Sequence, residues 1–295
     1  MSTPRDPQHA TTEAELRIHR ILASPSAIGP SFASRLAYRI LPIRQSIVRA
    51  NLERAFGREL DRADRELLAK AFYGHFIRSL REFLVFPLLS RQTRASMVTT
   101  IGENHFFEAA KSGRGILLLG AHLGNWEVAL TGAMLNYPAM YGHIHVIRRP
   151  FKPVWLERYA RNRFAESGLG TIEKRNSMPE ILRRLAINDA VGFVMDQHSA
   201  PKEGVRVPFF GSPAWTFRSL AVIARRTRAP VIPIATWREA DQRHVVQLGK
   251  PLEWIVSRSF EEEVILNTQS YNEVLEGLIR AHPEQWIWNH RRWKD

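Results

Sequence analysis

The sequence predicts an α/β fold: a central, mostly parallel sheet flanked by helices, behind a helical N-terminal region. Three observations carry that prediction. From about Gly113 onward, short apolar runs alternate with helical stretches. Before Gly113 the apolar residues recur at three- and four-residue steps instead. No linker long or flexible enough to divide the chain interrupts either part. Residues 26–295 therefore read as one domain, with a helical part over 26–110 and an α/β core over 111–295.

Residues 1–25 are polar, punctuated by proline, and expected to be poorly ordered. "SFASRLAYRILPIRQSIVRANLERAF" then sets Phe32, Leu36, Ile40, Ile43 and Ile47 at helical spacing among Arg35, Arg39, Arg44, Arg49 and Arg54. That basic amphipathic pattern fits a helix lying on an anionic membrane and, equally, a surface helix packed on the core; Pro42 breaks or kinks it. "DRADRELLAKAFYGHFIRSLREFLVF" carries Leu68, Phe72, Phe76 and Leu80 on one helical face, with Asp61 or Asp64 as the N-cap. "GILLLGA", "HIHVIR", "AVGFVMD", "PVIPIAT" and "HVVQLG" read as strands. Helices are predicted around residues 156–167, 178–187, 216–228 and 271–281.

Composition narrows the function. Among 295 residues, 42 Lys and Arg against 29 Asp and Glu give a formal charge of +13, which points to an anionic partner: nucleic acid, anionic lipid, an acidic carrier protein or a phosphorylated substrate. No helix-turn-helix, zinc-finger or ribonucleoprotein signature accompanies the charge, so no nucleic acid is expected as partner. The chain has no cysteine, which excludes disulfides, thiolate zinc sites and cysteine nucleophiles. The first twenty residues lack the apolar run of a signal peptide, and no apolar run approaches the roughly 20 residues of a membrane-spanning helix. The expected location is therefore cytoplasmic. Gly113, Gly115, Gly120 and Gly124 do not fit a dinucleotide fingerprint, because the first two precede the strand rather than follow it.

The chemistry concentrates in "GRGILLLGAHLGNWEVAL". If "GILLLGA" is a buried strand, His122 sits at its carboxyl end, where open α/β sheets place ligands, and Glu127 falls in the first turn of the next helix. From there the carboxylate can reach back to an imidazole nitrogen, fixing the tautomer and leaving the other nitrogen to take a proton from a hydroxyl. Glycines in this turn, Gly124 among them, let a bulky substrate approach, and Asn125 opens a helix whose amino end offers N–H donors to an oxyanion or a phosphate. The plainer alternative is a loop histidine beside a glutamate that complements the helix dipole. A mononuclear metal site is weaker still: His122 and Glu127 supply two ligands, and the nearest further candidates, His143 and His145, lie on the next strand. No metal is expected. Asp196 ends the "AVGFVMD" strand and should open onto the same crevice, as a ligand of the acceptor, an orienting group or a local cap. Phe209 and Phe210 read as lipid-facing or core aromatic surface, with core favoured. Trp286, Trp288 and Trp293, interleaved with His290, Arg291 and Arg292, suit an interfacial membrane contact or a packed terminal helix equally well.

These blocks carry a resemblance. "AHLGNWE" resembles the H-x-x-x-x-D/E signature of the glycerolipid acyltransferases. "ANLERAFG", "VIRRPFKPVWLE", "VGFVMDQHSAPKEGVRVPFFGSPAWTF", "ARRTRAPVIPIATWR" and "HPEQWIWNHRRWK" are similar, in order over about residues 45–294, to blocks of one branch: the late lipid A acyltransferases, lauroyl and myristoyl transferases of lipopolysaccharide synthesis. The resemblance implies a glycerolipid-acyltransferase-like fold. It also implies that His122 acts as general base on a lipid hydroxyl, that Glu127 orients it, and that the hydroxyl attacks an acyl thioester. Arg149, with Arg148 beside it, matches the family's Arg-Pro block and would hold a phosphate of the acceptor or of the donor's pantetheine arm; Gly124, Asn125 and Asp196 are placed with them as substrate-binding positions. The implied donor is acyl carrier protein or coenzyme A as co-substrate, with no bound cofactor. The implied setting is the cytoplasmic face of the inner membrane, with peripheral attachment to anionic lipid. Two departures stand out. The membrane-spanning N-terminal helix of many members is missing, and Lys152-Pro153 and Glu157 stand where the family often has Asn-Pro and an aspartate. Relatives with similar blocks acylate other glycolipids or lysophospholipids.

Overall fold

Ile116 to Leu119 are apolar without a break, the pattern of a strand covered on both faces. The computed structural model describes residues 31–40 and 43–294, and in it this run forms β2 (Ile116–Gly120), buried at every position. The expectations for residues 1–25 and for Pro42 lie outside the described residues. β5 (Ala190–Val194) and β8 (Val231–Arg238) flank β2 in parallel. Beyond β5 come β3 (Ile144–Arg148) and β4 (Gly170–Glu173), and beyond β8 come β9 (His244–Leu248) and β1 (Val98–Ile101). The order is β1-β9-β8-β2-β5-β3-β4, and the β8–β9 pairing alone is antiparallel. The mostly parallel α/β sheet is therefore the observed fold. β1 and β4 have no counterpart among the expected strands, since four-residue segments rich in Thr and Gly carry no apolar run.

Ahead of the sheet lie α1 (Phe32–Ile40), α2 (Gln45–Phe56) and α3 (Arg62–Val85), capped by Asp61, whose carboxylate accepts from the Asp64 N–H at 2.8 Å. A short α4 (Arg91–Ser96) leads into β1. α5 (Glu103–Ala110) and α6 (Trp126–Met134) cover one face of the sheet, Phe106 packing with Ile116, Leu118 and Ile232, and Ala129 with Val246. α7 (Val154–Glu166) closes the β3 side through Ala160 and Phe164. The opposite face, carrying Leu117, Leu119 and Val191, packs on α8 (Met178–Ala186), α9 (Ser219–Thr227), α10 (Phe260–Ala281) and buried residues of α2 and α3. Among the described residues no helix is long and apolar enough to cross a membrane.

The helix expected over 216–228 begins only at Ser219. The residues before it form a hairpin of β6 (Gly204–Phe209) and β7 (Ser212–Phe217). Its two-residue turn, Phe210-Gly211, has φ of 49° and 67°, the left-handed pair whose twist matches that of the strands. The helix expected at 271–281 is the second half of α10, which starts eleven residues earlier under a Ser259 cap. Its first turn is Glu261–Glu263, favourable against the helix dipole but silent in the apolar periodicity. Phe209 and Phe210 are core. The C-terminal tryptophans are packed, yet not on a helix: Trp286 and Trp288 are buried edge to face at 4.6 Å in an irregular segment. Asn51 of α2 donates to the carbonyls of Trp288 and His290 at 2.7 and 2.6 Å, and buried Arg292 donates to the Trp215 carbonyl and the Thr216 hydroxyl at 2.6 Å each. The two Asn51 bonds satisfy backbone carbonyls that a non-helical buried segment leaves open, and the Arg292 bonds tie that segment to β7.

Candidate active site

β2 ends at Gly120 and β5 at Val194, and the register pairs those two residues. Two positions further along each parallel strand, His122 and Asp196 leave the sheet side by side at its carboxyl edge. His122 Nδ1 lies 2.8 Å from Asp196 Oδ1, and the His122 backbone N–H donates to Asp196 Oδ2 at 2.8 Å. The indole N–H of Trp286 donates to the same Oδ2 at 2.6 Å. Asp196 is fully buried while the His122 side chain keeps a quarter of its surface exposed. Burial on its own would raise the Asp196 carboxyl, but the His122 charge and the three hydrogen bonds outweigh it and hold it below the ordinary carboxylate range. Burial lowers His122, and Asp196 overrides it with help from Glu127, so the imidazole is more basic than a free histidine. With Nδ1 held by a carboxylate, the proton sits there and Nε2 is the basic nitrogen. The Gln197 amide is 3.3 Å from that Nε2.

The carboxylate on the imidazole is thus Asp196, where Glu127 was expected. Glu127 stands in the first turn of α6 and lines the same cavity as His122, but among the described residues its carboxylate makes no hydrogen bond to the ring. Burial raises it to about 6, against the pull of Arg163, Arg148 and His122. It acts on His122 through its field alone.

The other expected site residues divide. Asn125 is buried and faces away from the cavity, donating to the Ser79 carbonyl at 3.1 Å and to Glu82 at 2.9 Å. Gly124 gives no room to a substrate: at φ 64° it packs so closely on β8 that a Cβ would come 2.4 Å from the Thr236 carbonyl, and its N–H donates to the Gln285 carbonyl. Both hold the turn in place. They do so through a buried cluster in which Glu82 of α3 is chelated by Arg238 of β8, whose guanidinium also lies 3.0 Å from His75. Arg148 is likewise occupied, forked onto Glu157 at 2.8 and 2.6 Å, which holds that carboxyl down at about 2. Arg149 is exposed and, among the described residues, makes no ion pair. His143 and His145 both bind Asp189, at the opposite end of β5 from Asp196, at 2.7 and 2.9 Å. Sequence reading missed Trp286 as a partner of Asp196 and Gln197 as a neighbour of the imidazole, although both fall within quoted blocks; a fold-forming contact across 90 residues leaves no local spacing to detect.

His122 and Glu127 stand at one end of a cavity of about 770 Å³ between α6 and the sheet, within the usual range for a small-molecule site of ~300–1,000 Å³. Leu118, Val146, Ile234 and Val246 floor it, Gly120 and Gly192 leave the floor bare of side chains, and Leu130, Ala133 and Met134 of α6 roof it. Such a space accepts an extended apolar chain and presents its polar end to a basic imidazole.

The family model for bacterial lipid A biosynthesis acyltransferase matches residues 21–295. The chain is 26% identical over 264 residues to the lipid A biosynthesis lauroyltransferase of Escherichia coli strain K12, covering 88% of this chain and 82% of that one. It is 25% identical to the lipid A biosynthesis palmitoleoyltransferase of the same strain, over 88% and 81%. It is also 27% identical to the phosphatidylinositol mannoside acyltransferase of Mycolicibacterium smegmatis, over 66% and 63%. With the match running nearly end to end, and the conspicuous blocks falling on the histidine, the aspartate and the indole that surround one apolar cavity, the chain belongs to the bacterial lipid A biosynthesis acyltransferase family.

Proposed function

We propose that this protein moves a fatty acyl chain from an acyl thioester to a hydroxyl of a lipid A precursor or a similar glycolipid. The observation that carries the reading is the Asp196–His122 pair at the end of the apolar cavity. His122 Nε2 takes the proton of the acceptor hydroxyl as its oxygen attacks the thioester carbonyl; the C–O bond forms, the C–S bond breaks, and the proton passes to the departing thiolate. Asp196 stabilises the imidazolium that forms in between. The first-turn amides of α6, which no side chain caps, offer donors to the tetrahedral oxyanion. The acyl chain lies along the glycine-floored cavity.

The donor is an acyl carrier protein or coenzyme A, and the +13 charge favours the acidic carrier. The site works at the cytoplasmic face of the inner membrane through peripheral contact with anionic lipid. Phe32 and Ile40 of α1, Leu88, and Val154 and Trp155 at the start of α7 are all more than 60% exposed and support that attachment. The test is transfer from labelled acyl carrier protein or acyl coenzyme A to a panel of acceptors: a lipid A precursor, a lysophospholipid, a lyso-aminolipid, and none. A product that forms with wild type and not with His122→Ala supports the mechanism and identifies the acceptor. Equal product from both proteins overturns it.

A further inference from the structure

The C-terminal block "HPEQWIWNHRRWK" brings a second imidazole to the reactive end of the cavity. His290 lines that cavity together with His122, Gln197 and Ile287. Backbone pairing, not a helix, fixes its place. Leu123 forms an antiparallel bridge with Trp286, the Gly124 N–H donates to the Gln285 carbonyl at 3.0 Å, and the Trp286 indole donates to Asp196. The segment that leads to His290 thus runs beside the turn that carries His122. Further on, the His290 N–H donates to the Ile287 carbonyl at 3.3 Å. The His290 carbonyl accepts from the Arg292 N–H at 2.9 Å and from the Asn51 amide at 2.6 Å. Asn51 is buried, and its other bond goes to the Trp288 carbonyl. One asparagine of α2 therefore clamps the loop on both sides of Asn289, which gives the "ANLERAFG" block a place in the site although 239 positions separate Asn51 from His290.

The two imidazoles differ in what backs them. Nδ1 of His122 is bonded to a buried carboxylate, which makes that ring a base. Nδ1 of His290 is buried and, among the described residues, has no hydrogen-bond partner. A buried N–H without an acceptor is rarer than an unused lone pair, so the ring proton belongs on Nε2, the nitrogen left to face the cavity. Burial lowers the pKa of His290; Asp196 opposes it, and the charges of His122, Arg292 and Arg44 add to the lowering, so the ring is neutral at pH 7. With no carboxylate bonded to it, this ring cannot replace His122 as the base. What it offers is an N–H donor held in place before the reaction begins. Such a donor serves an oxygen that gains negative charge in the transition state, and it leaves the proton of the attacking hydroxyl to His122.

We propose that His290 is a second catalytic residue, whose Nε2–H donates to the carbonyl oxygen of the acyl thioester, and that Asn51 is the positioning residue that holds it there. The inference rests on the acyl-transfer reading. As the acceptor oxygen attacks, the carbonyl π pair moves onto the carbonyl oxygen and the hydrogen bond tightens against the growing charge. The pair returns as the C–S bond breaks. His290 neither gains nor loses a proton. It complements the first-turn amides of α6, because the segment that carries it pairs with the turn from which that helix starts.

His290→Phe keeps a flat ring and removes the donor. Its kcat for acyl transfer should fall by about 10²–10³, with the KM of the thioester changed by less than about 3-fold. His290→Gln places an amide N–H at a similar reach and should recover at least about 10-fold of that loss. Asn51→Ala should lower kcat by about 10-fold or more, and should add little in a chain that already carries His290→Phe, since residues that act as a unit are not additive. Thermal melts identify any variant that has lost its fold, and His290→Leu then stands in for His290→Phe. A spectroscopic arm reads the hydrogen bond itself. Infrared difference spectra of a thioester with an isotope-labelled carbonyl, bound to the inert His122→Ala protein, should show the carbonyl stretch at lower wavenumber than in His122→Ala with His290→Phe. A carbonyl stretch that His290→Phe leaves in place, or a kcat within about 3-fold of wild type, overturns the proposal while the acyl-transfer reading stands. A KM that rises while kcat holds also overturns it, because the contact is then made equally in the ground state. Failure of wild type to transfer an acyl chain from either donor overturns the acyl-transfer reading, and this role falls with it.

Discussion

Replacing Asp196 by asparagine keeps the size of the side chain and removes a charge and an acceptor from the centre of the site. The carboxylate accepts three hydrogen bonds: the His122 N–H and the Trp286 indole at Oδ2, and His122 Nδ1 at Oδ1. Asparagine offers one oxygen. If that oxygen stays under the two fixed donors, its NH2 faces Nδ1, which must then become an acceptor, and the ring proton moves to Nε2. A base with its proton already on the reactive nitrogen cannot start the reaction, so kcat should fall by about 10³–10⁴, or ~4–5.5 kcal/mol of barrier. The loss in folding stability should stay at or below about 3 kcal/mol, the usual scale for a hydrogen bond to a charged group. The assay is kcat/KM for acyl transfer against pH, with melts run in parallel. In wild type, activity rises with pH as His122 loses its proton, with a midpoint above 6.5 because Asp196 raises it. In Asp196→Asn the residual activity should rise at lower pH, since the group that favoured the imidazolium has gone. A loss smaller than about 10-fold, or an acidic limb that does not move, refutes the role given to Asp196.

Glu127 makes the opposite kind of prediction. Burial raises its carboxyl to about 6 from 4.5, so between those values the folded protein holds a proton that the unfolded chain has released, and stability falls as pH rises, by about 2 kcal/mol in all. Glu127→Gln should therefore be more stable than wild type by about that amount at pH 8 and indistinguishable at pH 4; urea unfolding at the two pH values decides it, and no gain at pH 8 refutes the burial argument. Gly192 has only ordinary contacts where a Cβ would stand, at 3.5 and 3.7 Å, so Gly192→Leu should fold and project into the acyl cavity. Each methylene denied a place costs ~0.8 kcal/mol, about 4-fold, and competition between donors should turn toward chains about four carbons shorter; an unchanged preference would place the chain elsewhere. Arg238→Met leaves Glu82 buried without its cation and should cost about 3–5 kcal/mol by urea unfolding, part of which Glu82→Gln in the same chain restores.

What could be read in the chain followed its local patterns. The apolar runs marked five of the strands in the main sheet, because a buried parallel strand must be apolar on both faces. His122 was conspicuous because it follows such a run directly. Short edge strands of Thr and Gly, and a hairpin turn at Phe210-Gly211, left no such pattern. Arg148 looked as available as Arg149, since nothing in the spacing of Arg148 and Glu157 announces a forked ion pair across a turn.

The sequence by itself determined the fold class, the family and the identity of the basic residue. Tertiary structure decided which carboxylate serves it. Glu127 is five residues from His122 and Asp196 is 74, yet Asp196 holds the ring. The reason is that β5 follows β2 in space while β3 and β4 intervene in sequence, and a parallel register brings the two strand ends level. The same register sets Leu118 of β2 opposite Gly192 of β5, so that residues 74 apart in the chain line one apolar cavity, a pairing that only the folded chain selects.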